Sequence, residues 1–460
     1  MKIMDKIKAV ILRMLNIKTL RGLGCDISPH MAQAIRTWDG LFYQIDQPVH
    51  SLKMAQAITS YMASLATSEL TLDAGASARG KYITQQAKDH VLPYISDAVQ
   101  LAGAGGMAAI KPYVSRGGIY AEIVPRSRIY ATRFGACGQI EAGFFTDFAD
   151  VGEKVVVRLE TFDLSADGLH IENHAYRLRE NDLLGAEIPL ETVDRWSGLE
   201  PEIWIENVDR PHFGLIKMPM INNIDGSAYP VSIFAQAVDS IIQIDQTYEQ
   251  FLWDRDTGKR RMILDRSAAM MDPISGKPSI PYRELVSDYY MPLDMPDTKP
   301  WDDYSPEMRV EKYKESMDLQ LRILELQTGF SPGTFQIDVP GGRVTATQII
   351  SEDRTTYNTI KSIQDRGMIP GLIDVLYWFD VYASLYNLAP VGSADLSVTC
   401  GDSIFEDTGV EFQRRKAMAD ARYIRPEILT AWYFGVSEEE AKEMLPEPET
   451  PDNILFGGGA

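Results

Sequence analysis

The sequence feature that most constrains the fold is a helical pattern of 44 residues from Thr345 to Leu388. Thr345 and Gln348 are spaced as a capping box, in which each side chain satisfies a backbone N–H of the first turn. Pro370 cannot donate a helical hydrogen bond, so we expect the helix to bend there. At about 1.5 Å per residue, a helix of this length spans about 65 Å. Because that is too long for one compact domain, the helix is predicted to join separate parts of the molecule.

The two halves of this helix differ in polarity. Before Gly367 the apolar residues fall on one narrow stripe, whereas after Pro370 they surround the helix, which predicts burial on most sides. The apolar residues of the second half are Leu372, Ile373, Val375, Leu376, Trp378, Phe379, Val381 and Tyr382.

A loop rich in glycine and proline, residues 329–344, precedes the helix. Its helix-breaking residues exclude both a helix and a central strand. Arg343 stands among glycines with no local charge to pair with, so a functional contact and an ordinary surface position are both open for it. The loop residues of interest are Pro340, Gly341, Gly342, Arg343 and Val344.

The composition of the 460 residues is that of a globular protein with room for two or three domains. The formal net charge of −20 argues against a protein that grips nucleic acid by its phosphates. Cys25, Cys137 and Cys400 lie far apart, so neither a disulfide framework nor a zinc site is expected, and a reducing cytoplasm is the expected compartment. No apolar run is expected to reach the length of a membrane span.

Periodicity predicts an α+β region up to about residue 225. Helices are expected over 48–70 and 81–102, and strands over 107–114, 119–124, 129–134, 139–148, 154–164, 169–178, 203–208 and 214–220. Two helices then bracket an insert, with Pro230 as the first residue of one helix and Ser305 as the N-cap of the other. One more strand over 395–400 and short helices over 411–421, 425–434 and 437–445 follow.

Motifs that carry chemistry are few. The glycines at 103–106 match a loose dinucleotide fingerprint, but they follow a helix and precede a strand, the reverse of the order that such a site requires. His170 and His174 share a strand face, but no third ligand completes a zinc site, so a solvated strand face is favoured. The P-loop, Gly-x-Ser-x-Gly and His-Glu-x-x-His motifs are absent from the sequence. The sequence therefore assigns no catalytic residue, no metal ligand and no cofactor.

Lys259, Arg260 and Arg261 form the clearest internal basic cluster, where the first bracketing helix meets the insert. Such a run is typical of a solvated helix end, and a contact with phosphate or with a partner protein is the alternative.

Two stretches carry a resemblance to a known family. Gly226–Tyr248, running into Gly258–Arg261, and Thr345–Glu352 resemble the portal proteins of long-tailed (siphovirus-type) bacteriophages. Gln348 stands where the family pattern would have Glu, and either residue caps a helix. The resemblance covers most of the chain. It implies a protein without enzymatic activity, located in the virion at the capsid portal vertex and in the host cytoplasm during assembly.

The portal fold that the resemblance implies is α+β and assembles as a dodecameric ring. Its parts would fall in order onto this sequence: N-terminal segment and wing, 1–228; stem helix, 229–256; clip, 257–304; second stem helix, 305–328; tunnel loop, 329–344; long kinked helix and returning wing strand, 345–404; helical crown, 405–446; and acidic, glycine-rich disordered tail, 447–460.

The function that the resemblance implies is a DNA channel at one unique capsid vertex. Double-stranded DNA would pass through the ring during packaging and ejection, with terminase and then the head–tail connector docking on it. The ring would also initiate procapsid assembly with scaffold and major capsid protein. Two other hypotheses remain open. One is a carboxylate-based hydrolase of monomeric or dimeric form, drawn from the 65 acidic residues, and the other is a membrane adaptor anchored by the basic amphipathic residues 1–18.

Overall fold

The computed structural model describes residues 17–25, 27–45, 50–136, 138–152, 154–179, 183–258, 261–265, 290–293, 301–304, 307–336, 354–401, 408–434 and 438–445. The chain forms two compact units, Met1–Pro340 with Asn358–Cys400 and Gly341–Tyr357 with Gly401–Ala460. The mixture of helices and sheets confirms the expected α+β class.

The helices up to residue 400 include the long helix of the sequence pattern. In chain order they are α1 Ile17–Gly22, α2 Pro29–Tyr43, α3 Met54–Ala66, α4 Ala78–His90, α5 Ile95–Gly105, α6 Val238–Thr257, α7 Val310–Thr328, α8 Arg354–Ser362 and α9 Ile369–Leu385. Ser28 and Ser77 cap α2 and α4 by accepting a hydrogen bond from a first-turn N–H. The single helix expected over 81–102 is wrong. Pro93 cannot continue a helix and lies in a 3-10 turn between α4 and α5.

The strands pair into several sheets. They are β1 Leu70–Asp73, β2 Met107–Ser115, β3 Gly118–Pro125, β4 Ile129–Phe134, β5 Ile140–Val151, β6 Lys154–Ser165, β7 Gly168–Leu178, β8 Leu184–Ile188, β9 Glu202–Glu206, β10 Gly214–Lys217, β11 Arg261–Asp265, β12 Tyr290–Leu293, β13 Trp301–Tyr304 and β14 Ser397–Cys400.

The largest sheet is antiparallel, with the order β4-β5-β6-β7-β8. Strand β9 pairs with β7 as well, along Gly168–Glu172, while β8 pairs with the later residues Ala175–Leu178. The strands expected over 154–164 and 169–178 are present as β6 and β7, which pair as a hairpin. The smaller sheets have the orders β10-β2-β3, β12-β11-β13 and β1-β14.

Helix α9 belongs to the core of the first unit. Leu372, Leu376 and Trp378 are fully buried, as expected for the second half of the long helix. A Cβ on Gly371 would overlap the carbonyl oxygen of Leu215 on β10, and a Cβ on Gly214 would overlap the carbonyl oxygen of Gly371. Both glycines therefore let the helix pack directly on the backbone of the strand.

By length and composition alone, one helical run among the described residues could cross a membrane. It is Arg354–Leu385, which contains an 18-residue window with a mean hydropathy of 1.2. The expectation that no apolar run would reach the length of a membrane span is wrong by this criterion. Trp378 and Phe379 in this run are completely buried within the protein. Packing against the sheet accounts for the apolar character of the run, as in the core helix of a globular protein.

Two glycines of the loose dinucleotide fingerprint serve packing. Gly106 has a φ of +88°, and a Cβ there would lie 2.5 Å from the carbonyl oxygen of Pro230. The carbonyl of Gly103 accepts a hydrogen bond of 2.9 Å from the buried Ser232 hydroxyl. These contacts hold the segment around Pro230 against α5 in a non-helical conformation. The helix expected to begin at Pro230 therefore begins at Val238.

The second unit contains α10 Thr408–Asp420, α11 Pro426–Phe434 and α12 Glu438–Met444, close to the short helices that the sequence predicts. Aromatic contacts join α10 to α11. The rings of Phe412 and Tyr433 are 4.9 Å apart, and the Arg415 guanidinium lies 4.4 Å from the centre of the Trp432 ring.

Candidate functional site

Helices α6 and α7 form an antiparallel pair. Three hydrogen bonds along their length fix the direction, and they join Asp254 to Arg309 (2.8 Å), Thr247 to Gln320 (3.0 Å) and Ser240 to Gln327 (2.8 Å). The insert of residues 258–309 therefore leaves and re-enters at one end of the pair. Within that insert, the described strands β11, β12 and β13 form a small sheet of their own.

The outer face of α7 carries an apolar stripe, which we define as Leu319, Ile323 and Leu326. Their exposed fractions are 61%, 42% and 82%, and the spacings of four and three residues place them on one helix face. Trp253 on the neighbouring helix is 66% exposed. Apolar side chains exposed at regular helical spacing are typical of a surface that another protein covers.

The loop that follows α7 is anchored at its base. Glu325 is completely buried, and its carboxylate accepts hydrogen bonds from the backbone N–H groups of Gly333 (2.8 Å) and Phe335 (2.7 Å). The Thr359 hydroxyl on α8 donates a hydrogen bond of 2.7 Å to the carbonyl of Gly329. The chain therefore leaves α7 and returns in α8 at points that touch each other.

Most of the sequence-predicted site residues lie outside the described part of the chain. These are Pro340, Gly341, Gly342, Arg343, Val344, Thr345, Gln348, Lys259 and Arg260. Arg261 is the first residue of β11 and lies opposite Tyr304 of β13. The roles predicted for these residues stay predictions.

Pro370 is the second residue of α9, directly after a π-helical turn, Ile363–Met368. A proline offers no N–H to the preceding turn, and a π turn rearranges the helical hydrogen bonds at that point. Gly367 in this turn packs against the backbone of Lys217 on β10, where a Cβ would overlap the carbonyl oxygen. The irregular part of the helix thus coincides with its contact to the sheet. The bend itself stays a prediction.

A cavity of about 810 Å³ in the first unit is lined by residues of β2, β6, β7, β9 and α9. Glu160 is a buried acid on its wall. Its carboxylate lies 2.8 Å from Lys111 Nζ, 2.9 Å from His212 Nε2 and 3.1 Å from Arg158 Nη1. Burial alone would raise the pKa of Glu160, but Lys111, His212 and Arg158 outweigh it and hold the pKa well below its usual range.

The role of this charge cluster follows from its protonation states. Burial lowers the pKa of His212 despite its hydrogen bond to Glu160, so the neutral ring donates through Nε2. Glu160 is then ionised near neutral pH with both oxygens engaged, which suits a structural ion cluster and not a general acid. Sequence reasoning missed the cluster, although an acid within the apolar strand β6 was a signal of a buried ion pair.

Sequence reasoning also missed Glu325 and Thr359, which anchor the base of the loop. The available signal was an acid at the end of α7, four residues before the glycine that stops the helix. Such an acid is unfavourable for the helix dipole, so a specific partner is needed to explain it.

No protein-family model matches this sequence, and no curated protein matches it either. Among solved structures, the chain is similar to one in the virion of a native gene transfer agent particle, with 12% identity, 91% of this chain and 97% of that chain covered, and a TM-score of 0.42. It is also similar to a chain in the neck of the native particle, computed with C12 symmetry, with 11% identity and a TM-score of 0.42; the match covers 98% of this chain and 100% of that chain. A third similar chain is in the neck of the empty particle, computed with C6 symmetry, with 11% identity and a TM-score of 0.43; the match covers 92% of this chain and 98% of that chain. Similarity at this level is distant, and no function is transferred from it.

Proposed function

We propose that this chain is the portal protein of a long-tailed bacteriophage, a ring that forms the DNA channel at one vertex of the capsid. The observation that carries the proposal is the antiparallel pair α6–α7 with its exposed apolar stripe. The pair leads to a small sheet at one end and to an anchored loop at the other. The sequence resemblance at Gly226–Tyr248 and Thr345–Glu352 supports the same assignment.

In this proposal the helix pair is the stem of the portal subunit. Residues 257–304 form the clip, the loop 329–344 is the tunnel loop, and the helical segment 405–446 is the crown. Strands β11, β12 and β13 support the clip assignment, because they pair with each other and form a separate small sheet. The contact between Thr359 and Gly329 supports a loop that projects from a fixed base.

The apolar stripe supports assembly with neighbouring copies. Full burial of such a side chain contributes about 1.5–3 kcal/mol, and a neighbouring stem would add the share that belongs to the exposed part of Leu319, Ile323 and Leu326. A contact between different faces of successive copies repeats around an axis and closes into a ring when the rotation permits. We propose about twelve copies, as in the family that the sequence resembles.

The net charge of −20 supports a conduit that DNA passes and does not bind tightly. In our proposal Arg343 is a sparse phosphate contact in the tunnel loop, and Lys259, Arg260 and Arg261 lie where the clip meets the stem. Terminase and then the head–tail connector would dock at the clip. Scaffold and major capsid protein would contact the ring during procapsid assembly.

The hydrolase hypothesis gains no comparable support. The buried acid of the cavity, Glu160, is held ionised by Lys111 and Arg158 and has both oxygens engaged. A general acid needs a raised pKa, and this carboxyl has the opposite shift.

Assembly tests the proposal directly. We expect the purified chain to form rings of about twelve copies with an open axial channel, seen by cryo electron microscopy and weighed by mass photometry. Leu326→Asp should shift the population to monomers, since it places a charge in the stem contact. The control is Ser316→Asp, at an exposed position of α7 that precedes the apolar stripe. It should leave the rings intact. A parent protein that stays monomeric at high concentration and with scaffold present contradicts the proposal.

DNA passage is tested separately. Arg343→Glu should form normal rings but alter DNA packaging or retention, measured as encapsidated DNA per particle. Unchanged packaging would count against a DNA contact by this side chain while leaving the ring assignment intact.

A further inference from the structure

Strand pairing brings together three side chains that are far apart in the sequence. His170 and Glu172 lie on the same face of β7, because side chains two residues apart on a strand point to the same side of the sheet. Strand β9 lies alongside, with Glu202 opposite Glu172 and Trp204 opposite His170. This register brings Glu202 from a separate strand next to His170 and Glu172.

The donor atoms of the three side chains converge. His170 Nε2 lies 2.9 Å from an oxygen of Glu202 and 3.9 Å from an oxygen of Glu172, and all three donor atoms lie within 4.8 Å of one another. Tetrahedral zinc with bonds of about 2.0–2.2 Å separates its ligand atoms by about 3.3–3.6 Å. Small rotations of the two glutamate side chains therefore produce a metal site from the observed positions.

Neighbouring groups hold these ligands in place. The Trp204 ring stacks on the His170 ring with centroids 4.2 Å apart and planes 15° apart, and its N–H lies 3.3 Å from the carboxylate of Glu202. The Thr161 hydroxyl lies 3.4 Å from Oε2 of Glu172, which leaves Oε1 on the side of His170. Hydrogen bonds that orient ligand side chains from outside the coordination sphere are typical of metal sites.

The local charge favours a cation. Within the described residues, no lysine or arginine nitrogen lies within 4.0 Å of either the Glu172 or the Glu202 carboxylate, and their ion-pair partners are His170 and His174. The two adjacent carboxylates thus have no lysine or arginine beside them in the described part of the chain, and a divalent ion would compensate both of their charges.

We propose that His170, Glu172 and Glu202 form a binding site for a divalent transition-metal ion of the Zn²⁺ class on the outer face of the large sheet. One imidazole nitrogen and two carboxylate oxygens suit zinc, whereas calcium and magnesium prefer six or more oxygen ligands. Three protein ligands leave a coordination position for water. The proposal does not depend on the portal function.

His174 provides a matched control on the same strand and face. Its Nδ1 lies 2.8 Å from Glu187, and its Nε2 lies 3.9 Å from Oε2 of Glu172, the oxygen that faces away from His170. We therefore place His174 outside the coordination sphere.

The test uses the full chain after treatment with a chelator, titrated with zinc chloride in a calorimeter. We expect one high-affinity Zn²⁺ per chain, a zinc-dependent rise in Tm, and no comparable response to magnesium chloride. His170→Ala and Glu202→Gln should each weaken zinc binding by at least about tenfold and abolish the rise in Tm. His174→Ala should leave the affinity within about a factor of three. Glu202 is largely exposed, so its variant keeps the test valid should His170→Ala fold poorly.

Several results would overturn the site. They are no zinc binding by the parent chain, binding that survives both His170→Ala and Glu202→Gln, an equal loss in His174→Ala, or an equal response to magnesium. Each of these readouts is independent of ring assembly and of DNA packaging.

Discussion

Glu325 and Phe335 are joined by a hydrogen bond of 2.7 Å from the backbone N–H of Phe335 to the carboxylate of Glu325. The same carboxylate accepts the N–H of Gly333 through its other oxygen, and it is completely buried. A single acid thus fixes the start of the loop that follows α7.

Glu325→Ala removes both of these bonds. Because two partly buried hydrogen bonds to the carboxylate are then lost, we expect a loss of roughly 1–3 kcal/mol of stability, measured by chemical denaturation. Limited proteolysis should cut the chain faster near Phe335. Glu315→Ala on the exposed face of the same helix should change neither quantity. Equal behaviour of the two variants would show that Glu325 does not anchor the loop.

Gly371→Ala tests the contact between α9 and β10. The added methyl group would overlap the carbonyl oxygen of Leu215, so the helix must move away from the strand. We expect a loss of about 1–3 kcal/mol, because overpacking forces backbone shifts. Gly22→Ala, at the end of α1 with no atom near its Cβ, should have little effect in the same thermal denaturation experiment. A Gly371→Ala protein with parental stability would mean that the two elements are not in backbone contact.

The raised pKa of Asp39 predicts that stability falls as the pH rises from acidic to neutral. Burial raises the pKa of Asp39 to about 7, although Arg126 opposes the shift. A carboxyl with a raised pKa contributes its full stability below its unfolded pKa of 3.8 and loses it as the pH rises through about 7. Asp39→Asn should therefore be more stable than the parent by roughly 1–3 kcal/mol at about pH 8, with a smaller difference at about pH 5. Thermal denaturation across this range measures the difference.

The control for Asp39 is Asp167→Asn in the exposed turn of the β6–β7 hairpin. Its effect on Tm should be small and independent of pH. A constant difference between Asp39→Asn and the parent at every pH would contradict the raised pKa.

The lowered pKa of Glu160 predicts a loss of stability at acidic pH. Its lowered pKa means that the contribution of the carboxylate is present above its unfolded pKa of 4.5 and is lost as the pH falls. The lowered pKa of His212 acts in the same direction, since charging the buried ring costs stability below its usual pKa of 6.5. The contribution of His212 is therefore lost as the pH falls below 6.5, and that of Glu160 as it falls below 4.5. Asp39 acts in the opposite direction, so each variant is compared with the parent at every pH.

Glu160→Gln should lose roughly 3–5 kcal/mol near neutral pH, because Lys111 and Arg158 remain buried without their counter-charge. Its stability should also fall less steeply on acidification than that of the parent. Glu191→Gln, on an exposed side chain, is the control. A neutral effect of Glu160→Gln would mean that the cluster is not closed as described.

Local signals predicted much of the fold. The hairpin of β6 and β7 and the burial of α9 follow from alternation and helical periodicity within each segment. The start of α6 could not be predicted, because Pro230 is a favourable first helical residue. Contacts with distant residues, such as that of Ser232 with Gly103, 129 residues away, hold the segment out of the helix. Pro93 was a readable break that the apolar periodicity around it obscured.

The candidate sites were less accessible to the sequence. Glycine and proline marked the loop after α7, but nothing local shows that Glu325 binds its backbone. The pairing of His170 with Glu202 requires the register of β9 on β7, which depends on the whole sheet. A contact that depends on how two distant strands pair is not visible in the residue pattern of either strand alone.

The pairing of β1 with β14 also constrains how the protein is made. Thr71 and Thr399 face each other across this pair although 328 residues separate them. A ribosome adding about 5–20 residues per second needs roughly 15–65 s to synthesise the partner of a strand that has already emerged. During that interval β1 has no partner strand, and once β10 has been made its surface stays uncovered until α9 is synthesised. Folding of the first unit is therefore complete only after α9 and β14 have been synthesised.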